Sequence, residues 1–105
     1  MKIESVDTDK KILIIAEIGN NHEGNFAVAE KMVHLAKEAG ADAVKFQTFK
    51  TEHYVTHKNT ARFERLKSFE LTYEEFEKLS QIAKSVGLIF ISTPFDLQSA
   101  AFLNH

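Results

Sequence analysis

Apolar residues along this chain fall into short continuous runs and into stripes at helical spacing, and the two kinds alternate. The run over residues 11–18 is nearly continuous, which is typical of a strand buried on both faces in a parallel sheet. Residues 43–48 and 88–92 predict the second and third strands. The predicted order is therefore β-α-β-α-β-α, an alternation that produces a parallel sheet with right-handed crossovers.

Two of the predicted helices carry clear start signals. Asn25 is suited to be the N-cap of the first helix, and Gly40 lies where the residue after its last turn is expected. Thr72 and Glu75 form the T-x-x-E capping box of the second helix. The apolar stripes behind these caps are Ala29, Met32, Val33, Ala36 and Ala39 in the first helix and Phe76, Leu79, Ile82, Ala83 and Val86 in the second.

The alternation is compatible with a doubly wound sheet and with a (β/α)₈ barrel. A barrel needs roughly 250 residues, so this chain supplies only about three-eighths of one. After Pro94 ends the third strand, Asp96 is the predicted cap of a last helix. Residues 97–103 start this helix, and no stop signal closes it before His105. We therefore expect the chain to be a fragment of a longer protein.

The connection over residues 50–71 is longer than the usual βα loop of roughly 2–6 residues. Phe63, Leu66 and Phe69 fall near helical spacing, which predicts a short helix within it. The connection follows a strand, so we expect it on the C-terminal face of the sheet, where it could serve as a lid or a substrate loop.

Composition excludes several classes of function. The 105 residues carry a formal net charge of −2 and no basic stripe, which argues against nucleic-acid binding. The chain has no cysteine, so disulfides and thiolate metal sites are excluded. No apolar signal core opens the chain, and no apolar run reaches the ~18 residues of a membrane span. We expect a soluble cytoplasmic protein without a membrane partner.

Three polar residues lie near the ends of the first two predicted strands. Glu17 shares a strand face with apolar residues, which suits a substrate-hydroxyl acceptor or a general base, or else a structural ion pair. Lys45 and Gln47 share one face of the second strand, opposite Val44 and Phe46. A lysine there suits a phosphate or carboxylate ligand, although a Schiff base or an ion pair with Glu17 are alternatives.

Other candidates lie in the turns and in the long connection. Asn21 and His22, between the first strand and its helix, either contact substrate or form a self-capped turn. The hydroxyl of Thr93 is expected at the same end of the sheet as Glu17 and Gln47, or else in an ordinary strand-to-helix turn. His53 and His57 have i, i+4 spacing, but their stretch has no helix signal, so a solvated loop is favoured over a metal site.

Several segments together resemble the sialic acid synthase family, which includes the N-acetylneuraminate synthases and their legionaminic, pseudaminic and spore-coat polysaccharide relatives. Each segment alone is a weak signal, but their order and spacing make the joint match specific, and they cover nearly the whole chain. The matching segments are Ile15-Ala16-Glu17-Ile18-Gly19, Asn21-His22-Glu23-Gly24, the run over residues 37–49, and Phe90-Ile91-Ser92-Thr93-Pro94-Phe95-Asp96.

The resemblance implies a fold and a reaction. Family members condense phosphoenolpyruvate with an N-acetylated sugar such as N-acetylmannosamine and release phosphate. Their fold is a (β/α)₈ TIM barrel followed by an antifreeze-like domain. Residues 1–105 are accordingly interpreted as the first three βα units of an α/β barrel, with the rest of the barrel and the antifreeze-like domain absent.

The resemblance also implies roles for single residues. Lys45 resembles the phosphoenolpyruvate-binding lysine, and Glu17, Gln47 and Thr93 resemble residues that contact the sugar or the intermediate. A divalent metal, Mn²⁺ or Mg²⁺, would activate the sugar aldehyde as a Lewis acid. The family's metal-binding histidines lie on later strands, which this chain lacks.

The resemblance and the missing strands leave three hypotheses about what this chain does. The first is that the parent protein is such a synthase, whereas the isolated chain is inactive. The second is a non-catalytic assembly module, because open sheet edges invite pairing with another copy, for example in a homodimer. The third is another barrel that uses phosphoenolpyruvate or forms a Schiff base, as aldolases do.

Overall fold

The computed structural model describes residues 2–3, 6–7, 12–54, 58 and 60–104, and the side chains of 12–53, 58 and 60–104. Lys11 and His57 lie outside the described residues. Within the described part, no helix has both the length and the apolar character needed to cross a membrane. The elements in chain order are β1 (Lys2–Ile3), β2 (Val6–Asp7), β3 (Ile15–Gly19), α1 (Phe26–Glu38), β4 (Ala43–Thr48), α2 (Thr51–Tyr54), α3 (Thr60–Phe69), α4 (Tyr73–Ser85), β5 (Ile89–Pro94) and α5 (Leu97–Leu103).

The central sheet is parallel and has the order β3-β4-β5, while β1 and β2 form a separate antiparallel pair. The elements β3, α1, β4, α4, β5 and α5 follow one another as the predicted alternation of strands and helices requires. The first strand was predicted too long, because β3 begins only at Ile15. It is not buried on both faces, since Ile14 and Ile15 are 55% and 43% exposed. The third strand extends past its predicted end at Ser92 to Pro94.

The helices begin where the cap signals predict. The Asn25 side chain accepts a hydrogen bond from the Val28 backbone N–H, and both halves of the Thr72–Glu75 capping box are present. Asp96 caps α5 through the Ser99 backbone N–H. These bonds satisfy N–H groups that would otherwise lack partners in the first helical turn.

The long connection contains two helices where one was predicted. The predicted helix is α3, and the additional one is α2, so the stretch with His53 is helical and was wrongly expected to be a loop. Local periodicity could not indicate α2, because four residues make little more than one turn.

The main core lies between the sheet and the helices. Alternation along β4 points Val44 and Phe46 into this core, where both are fully buried. The Phe46 ring lies against the rings of Phe76 in α4 and Phe90 in β5. A smaller apolar cluster occupies the opposite face, near the start of the strands, and consists of Leu13, Ala43, Ile89 and Ile91.

Candidate functional site

The polar ends of the three parallel strands meet at one rim, on the face opposite the main core. Register pairs Glu17 with Lys45, and Lys45 with Ile91. One step further along, Gln47 pairs with Thr93. The side chains of this face therefore change from apolar near the strand starts to polar at the carboxyl ends. We call the group Glu17, Lys45, Gln47 and Thr93 the rim group.

Glu17 and Lys45 form an ion pair across the first two strands. The Lys45 Nζ lies 3.8 Å from the Glu17 Oε2, and the side chains are 40% and 53% exposed, respectively. Such an exposed pair contributes at most about 1 kcal/mol to stability. The pair is therefore a poor stabilising device, and both groups remain open to a ligand.

Gln47 is held by a neighbour that the sequence reasoning missed. The Asn20 Nδ2 donates a hydrogen bond of 2.8 Å to the Gln47 Oε1. A register shift between Glu17 and Gly19 carries the chain out of the ladder at this point, which brings the turn over the end of β4. The available signal was its position, because Asn20 is the first polar residue after the first predicted strand.

His22 lies on the other side of the sheet from Lys45. Its ring is 2% exposed and lies 6.0 Å, centroid to centroid, from the ring of Phe46, which faces the main core. The His22 Nδ1 accepts a hydrogen bond from the Gly24 backbone N–H. Burial lowers the His22 pKa, and the nearby Glu75 carboxylate only partly opposes this. The ring is thus neutral, with its proton on Nε2.

The two residues of the turn between β3 and α1 that were predicted to contact substrate therefore have different surroundings. Asn21 is exposed, whereas His22 is enclosed. The structure brings together the four residues of the rim group but does not bring the His22 ring to the same face. A substrate-binding role for Asn21 and His22 stays a prediction.

Two carboxylates anchor the long connection beside the rim. The Asp96 Oδ2 accepts hydrogen bonds from the Lys50 backbone N–H at 2.8 Å and from the Ser99 hydroxyl at 2.8 Å. The Glu70 Oε1 accepts from both the backbone N–H and the hydroxyl of Thr51. These contacts tie both ends of the connection to the carboxyl ends of β4 and β5.

Asp96 remains ionised at lower pH than an ordinary aspartate. Burial alone would raise its pKa, but hydrogen bonds from the Lys50 and Ser99 backbone N–H groups and from the Ser99 hydroxyl outweigh burial. The pKa of Asp96 therefore lies below its ordinary value. The anchor at the base of the connection is a stable anion at neutral pH.

Comparison with known proteins identifies the relatives of this chain. Residues 32–105 match the NeuB family. The chain is 47% identical over 103 residues to the N,N'-diacetyllegionaminic acid synthase of Legionella pneumophila, covering 86% of this chain and 29% of that protein. It is 33% identical over 116 residues to a pseudaminic acid synthase of Campylobacter jejuni, covering 98% of this chain and 34% of that protein.

The chain belongs to the NeuB family. The crystal structure of the N-acetylneuraminic acid (sialic acid) synthetase of Leptospira borgpetersenii, in complex with citrate, superposes with a TM-score of 0.89 at 28% identity. It covers 99% of this chain and 37% of that protein. The α/β fold is thus that of the N-terminal part of a sialic acid synthetase barrel, and the family is one of transferases in carbohydrate biosynthesis. The chain spans about a third of the length of these relatives.

The described residues of this NeuB family chain do not by themselves fit a metal ion. Among them, no three histidine, cysteine, aspartate or glutamate side chains group closely enough to hold one. The carboxylate at the rim, Glu17, is paired with Lys45, and a cation in that position would be repelled by the ammonium. The metal implied by the resemblance stays a prediction.

Proposed function

We propose that this chain forms one wall of the substrate site in a synthase that condenses phosphoenolpyruvate with an N-acetylated amino sugar. The product is a nonulosonic acid, and phosphate is released. The observation that carries the proposal is the rim group, in which a lysine, a carboxylate, an amide and a hydroxyl converge on the open face of a NeuB family sheet.

Lys45 is the proposed ligand of phosphoenolpyruvate. Its ammonium is a compact charge that suits a phosphate or carboxylate group, and it is 40% exposed on the open face. A lysine that forms a Schiff base is activated by desolvation or by another cationic group nearby. Lys45 is 40% exposed, and its charged neighbour is the Glu17 carboxylate. The ion pair therefore favours anion binding over the aldolase-type alternative.

Glu17 and its neighbours are the proposed contacts of the sugar. A carboxylate accepts hydrogen bonds from hydroxyl groups and can take up a proton, which suits a general base next to a substrate hydroxyl. Thr93 pairs with Gln47 in the register, so its hydroxyl extends the same row.

We place the protein in the cytoplasm, where phosphoenolpyruvate is available as a substrate.

Binding of phosphoenolpyruvate to the purified chain tests the proposal. Titration calorimetry should show binding that weakens at least about tenfold in Lys45→Met, a loss of about 1.4 kcal/mol. Lys31→Met is the matched control, because Lys31 is an exposed lysine on α1. Equal affinities for the two variants would contradict the assignment of Lys45. Borohydride trapping of pyruvate on Lys45 would favour the aldolase-type alternative instead.

Turnover is a separate test. We expect no phosphate release when the isolated chain is mixed with Mn²⁺, phosphoenolpyruvate and N-acetylmannosamine, because the rim group is one wall of a site. Phosphate release that depends on the amino sugar would show that the chain is sufficient, and the proposed inactivity would then be wrong.

Assembly is a second candidate function, favoured by a specific observation. Ile12, Ile14 and Ile15 are 83%, 55% and 43% exposed in and just before β3, an edge of the described parallel sheet. Exposed apolar residues beside an unpaired strand edge favour pairing with another copy of the chain, as in a homodimer. Sedimentation of a stable, folded monomer at high concentration would contradict this candidate.

A further inference from the structure

Asn20 connects the first turn to the rim group through one hydrogen bond. Its Nδ2 donates to the Gln47 Oε1 at 2.8 Å, across 27 residues of sequence. Among the described residues, Asn20 is the hydrogen-bond partner of the Gln47 side chain. The Asn20 Oδ1 is buried and has no partner in the described part of the chain. The side chain thus acts as a donor toward Gln47.

This bond determines which end of the Gln47 amide faces the site. An amide has an acceptor oxygen and a donor nitrogen, and engaging Oε1 leaves the two N–H groups of Nε2 for another partner. A Cβ built on Gly19 would lie 3.5 Å from the Gln47 Nε2 and 3.4 Å from the Glu17 Oε1. The amide donor and the carboxylate acceptor therefore both lie next to the same glycine, within 3.5 Å of the position that its Cβ would take.

We propose that Asn20 is a positioning residue that holds the Gln47 amide with its N–H groups toward the substrate. The proposal rests on the proposed function and specifies how the rim group recognises its sugar. Glu17 supplies an acceptor for a hydroxyl, and Gln47 supplies a donor for a carbonyl oxygen. Together they suit a sugar that presents a hydroxyl group and an acyl oxygen close to each other.

The opposite orientation of the amide pair is less favourable. If the Gln47 Nε2 donated to the Asn20 Oδ1, the Asn20 amide nitrogen would occupy the buried position without a partner. A buried N–H without an acceptor is rarer in proteins than a buried carbonyl oxygen with an unused lone pair. The observed arrangement leaves the oxygen unpartnered.

Two nearly isosteric variants distinguish the orientations. Asn20→Asp removes the donor and offers an acceptor, so the Gln47 amide must turn and direct its N–H groups away from the site. Gln47→Glu keeps an acceptor for Asn20 but removes the donor that faces the site. Asn25→Asp is the matched control for charge, because an aspartate can replace the exposed Asn25 as the N-cap of α1.

The readout is the set of side-chain amide signals in the nitrogen-15 spectrum of the whole chain. The Gln47 signals are identified by their loss in Gln47→Glu. We expect them to shift in Asn20→Asp, and to lose their response to N-acetylmannosamine there. We expect the Asn20 signals to persist in Gln47→Glu. Asn25→Asp should leave both sets in place and preserve the response.

The outcomes separate this inference from the proposed function. Gln47 signals that stay unchanged in Asn20→Asp, or Asn20 signals that are lost in Gln47→Glu, would overturn the positioning role. The second variant is decisive even if the first does not fold. If N-acetylmannosamine leaves the unmodified chain unaffected while the Gln47 signals still move in Asn20→Asp, Asn20 orients Gln47 and the proposed function fails instead.

Discussion

The two faces of the parallel sheet are built from alternate residues of the same strands, yet they differ in burial and chemistry. On β4, Val44 and Phe46 are fully buried, whereas Lys45 and Gln47 are half-buried. The helix-facing side is apolar over most of its length. The opposite side becomes polar toward the carboxyl ends of the strands, where the rim group lies.

This difference separates stability from chemistry. Fully buried apolar groups contribute most of the free energy of folding, because that free energy grows with the apolar area removed from water. Charged and amide groups on the half-buried face contribute little to stability but keep hydrogen-bonding capacity for a ligand. Substitutions on the helix-facing side should therefore lower stability. Substitutions in the rim group should weaken ligand binding with little change in stability.

The largest expected effect is on the helix-facing side. Phe46→Ala should lower the free energy of unfolding by about 3–5 kcal/mol, because it leaves a cavity beside Phe76 and Phe90. Ile15→Ala is the control on the other face, where the side chain is already 43% exposed, and it should cost less than about 1.5 kcal/mol. Urea unfolding measures both, and equal losses would contradict the comparison.

The second effect concerns the turn between β3 and α1, which contains Gly24 and lies against α3. A Cβ on Gly24, where φ is +80°, would lie 2.0 Å from the Ser68 carbonyl oxygen in α3. Gly40 has a φ of +90°, but a Cβ there would meet nothing within 4 Å. Gly40→Ala should cost about 1–2 kcal/mol for the left-handed backbone. Gly24→Ala should cost a further 1–3 kcal/mol, roughly, because the turn and α3 must move apart.

The two alanine variants should be compared by urea unfolding under identical conditions. Their difference isolates the contact between the first turn and α3, since the backbone penalty is common to both. Indistinguishable midpoints would show that the contact between α3 and the turn at Gly24 does not contribute to stability.

The third effect is a pH dependence of stability. Burial lowers the His22 pKa, so below the ordinary value of 6.5 the unfolded chain binds more protons than the folded chain. Stability should therefore be fully present above pH 6.5 and fall as the pH decreases from there toward the folded pKa. The slope is at most about 1.4 kcal/mol per pH unit.

His22→Asn tests the origin of this slope. The asparagine oxygen can accept the Gly24 N–H in place of the histidine Nδ1, but it does not titrate. Melting temperatures between pH 7.5 and 5.5 should decline less in the variant than in the unmodified chain. Parallel curves would show that other groups cause the acid sensitivity.

The smallest effect on stability is expected at the rim. Lys45→Met should change the free energy of unfolding by less than about 1 kcal/mol, because its partner Glu17 is exposed. The same variant should weaken the proposed phosphoenolpyruvate binding at least about tenfold. A large loss of stability, measured by urea unfolding, would show that the ion pair is structural and would remove the distinction between the faces.

Much of this arrangement could be predicted from local patterns. Asn25, the Thr72–Glu75 capping box and Asp96 each cap a helix through bonds within three residues, so short spacing was sufficient. Alternation along β4 separated Lys45 and Gln47 from Val44 and Phe46. The helix α2 was missed, because it is only four residues long and its N-terminal end is held by Asp96 and Glu70, which are distant in sequence.

The sequence by itself determined the order of strands and helices, the caps and the face of the sheet on which Lys45 and Gln47 lie, since these depend on periodicity and on bonds between near neighbours. Only the tertiary structure decided what each polar group contacts. The register of the strands paired Glu17 with Lys45, and the turn after β3 placed Asn20 against Gln47 and buried His22 beside Phe46. Such contacts join residues 24 to 28 positions apart, and their geometry arises only when the sheet and its helices pack.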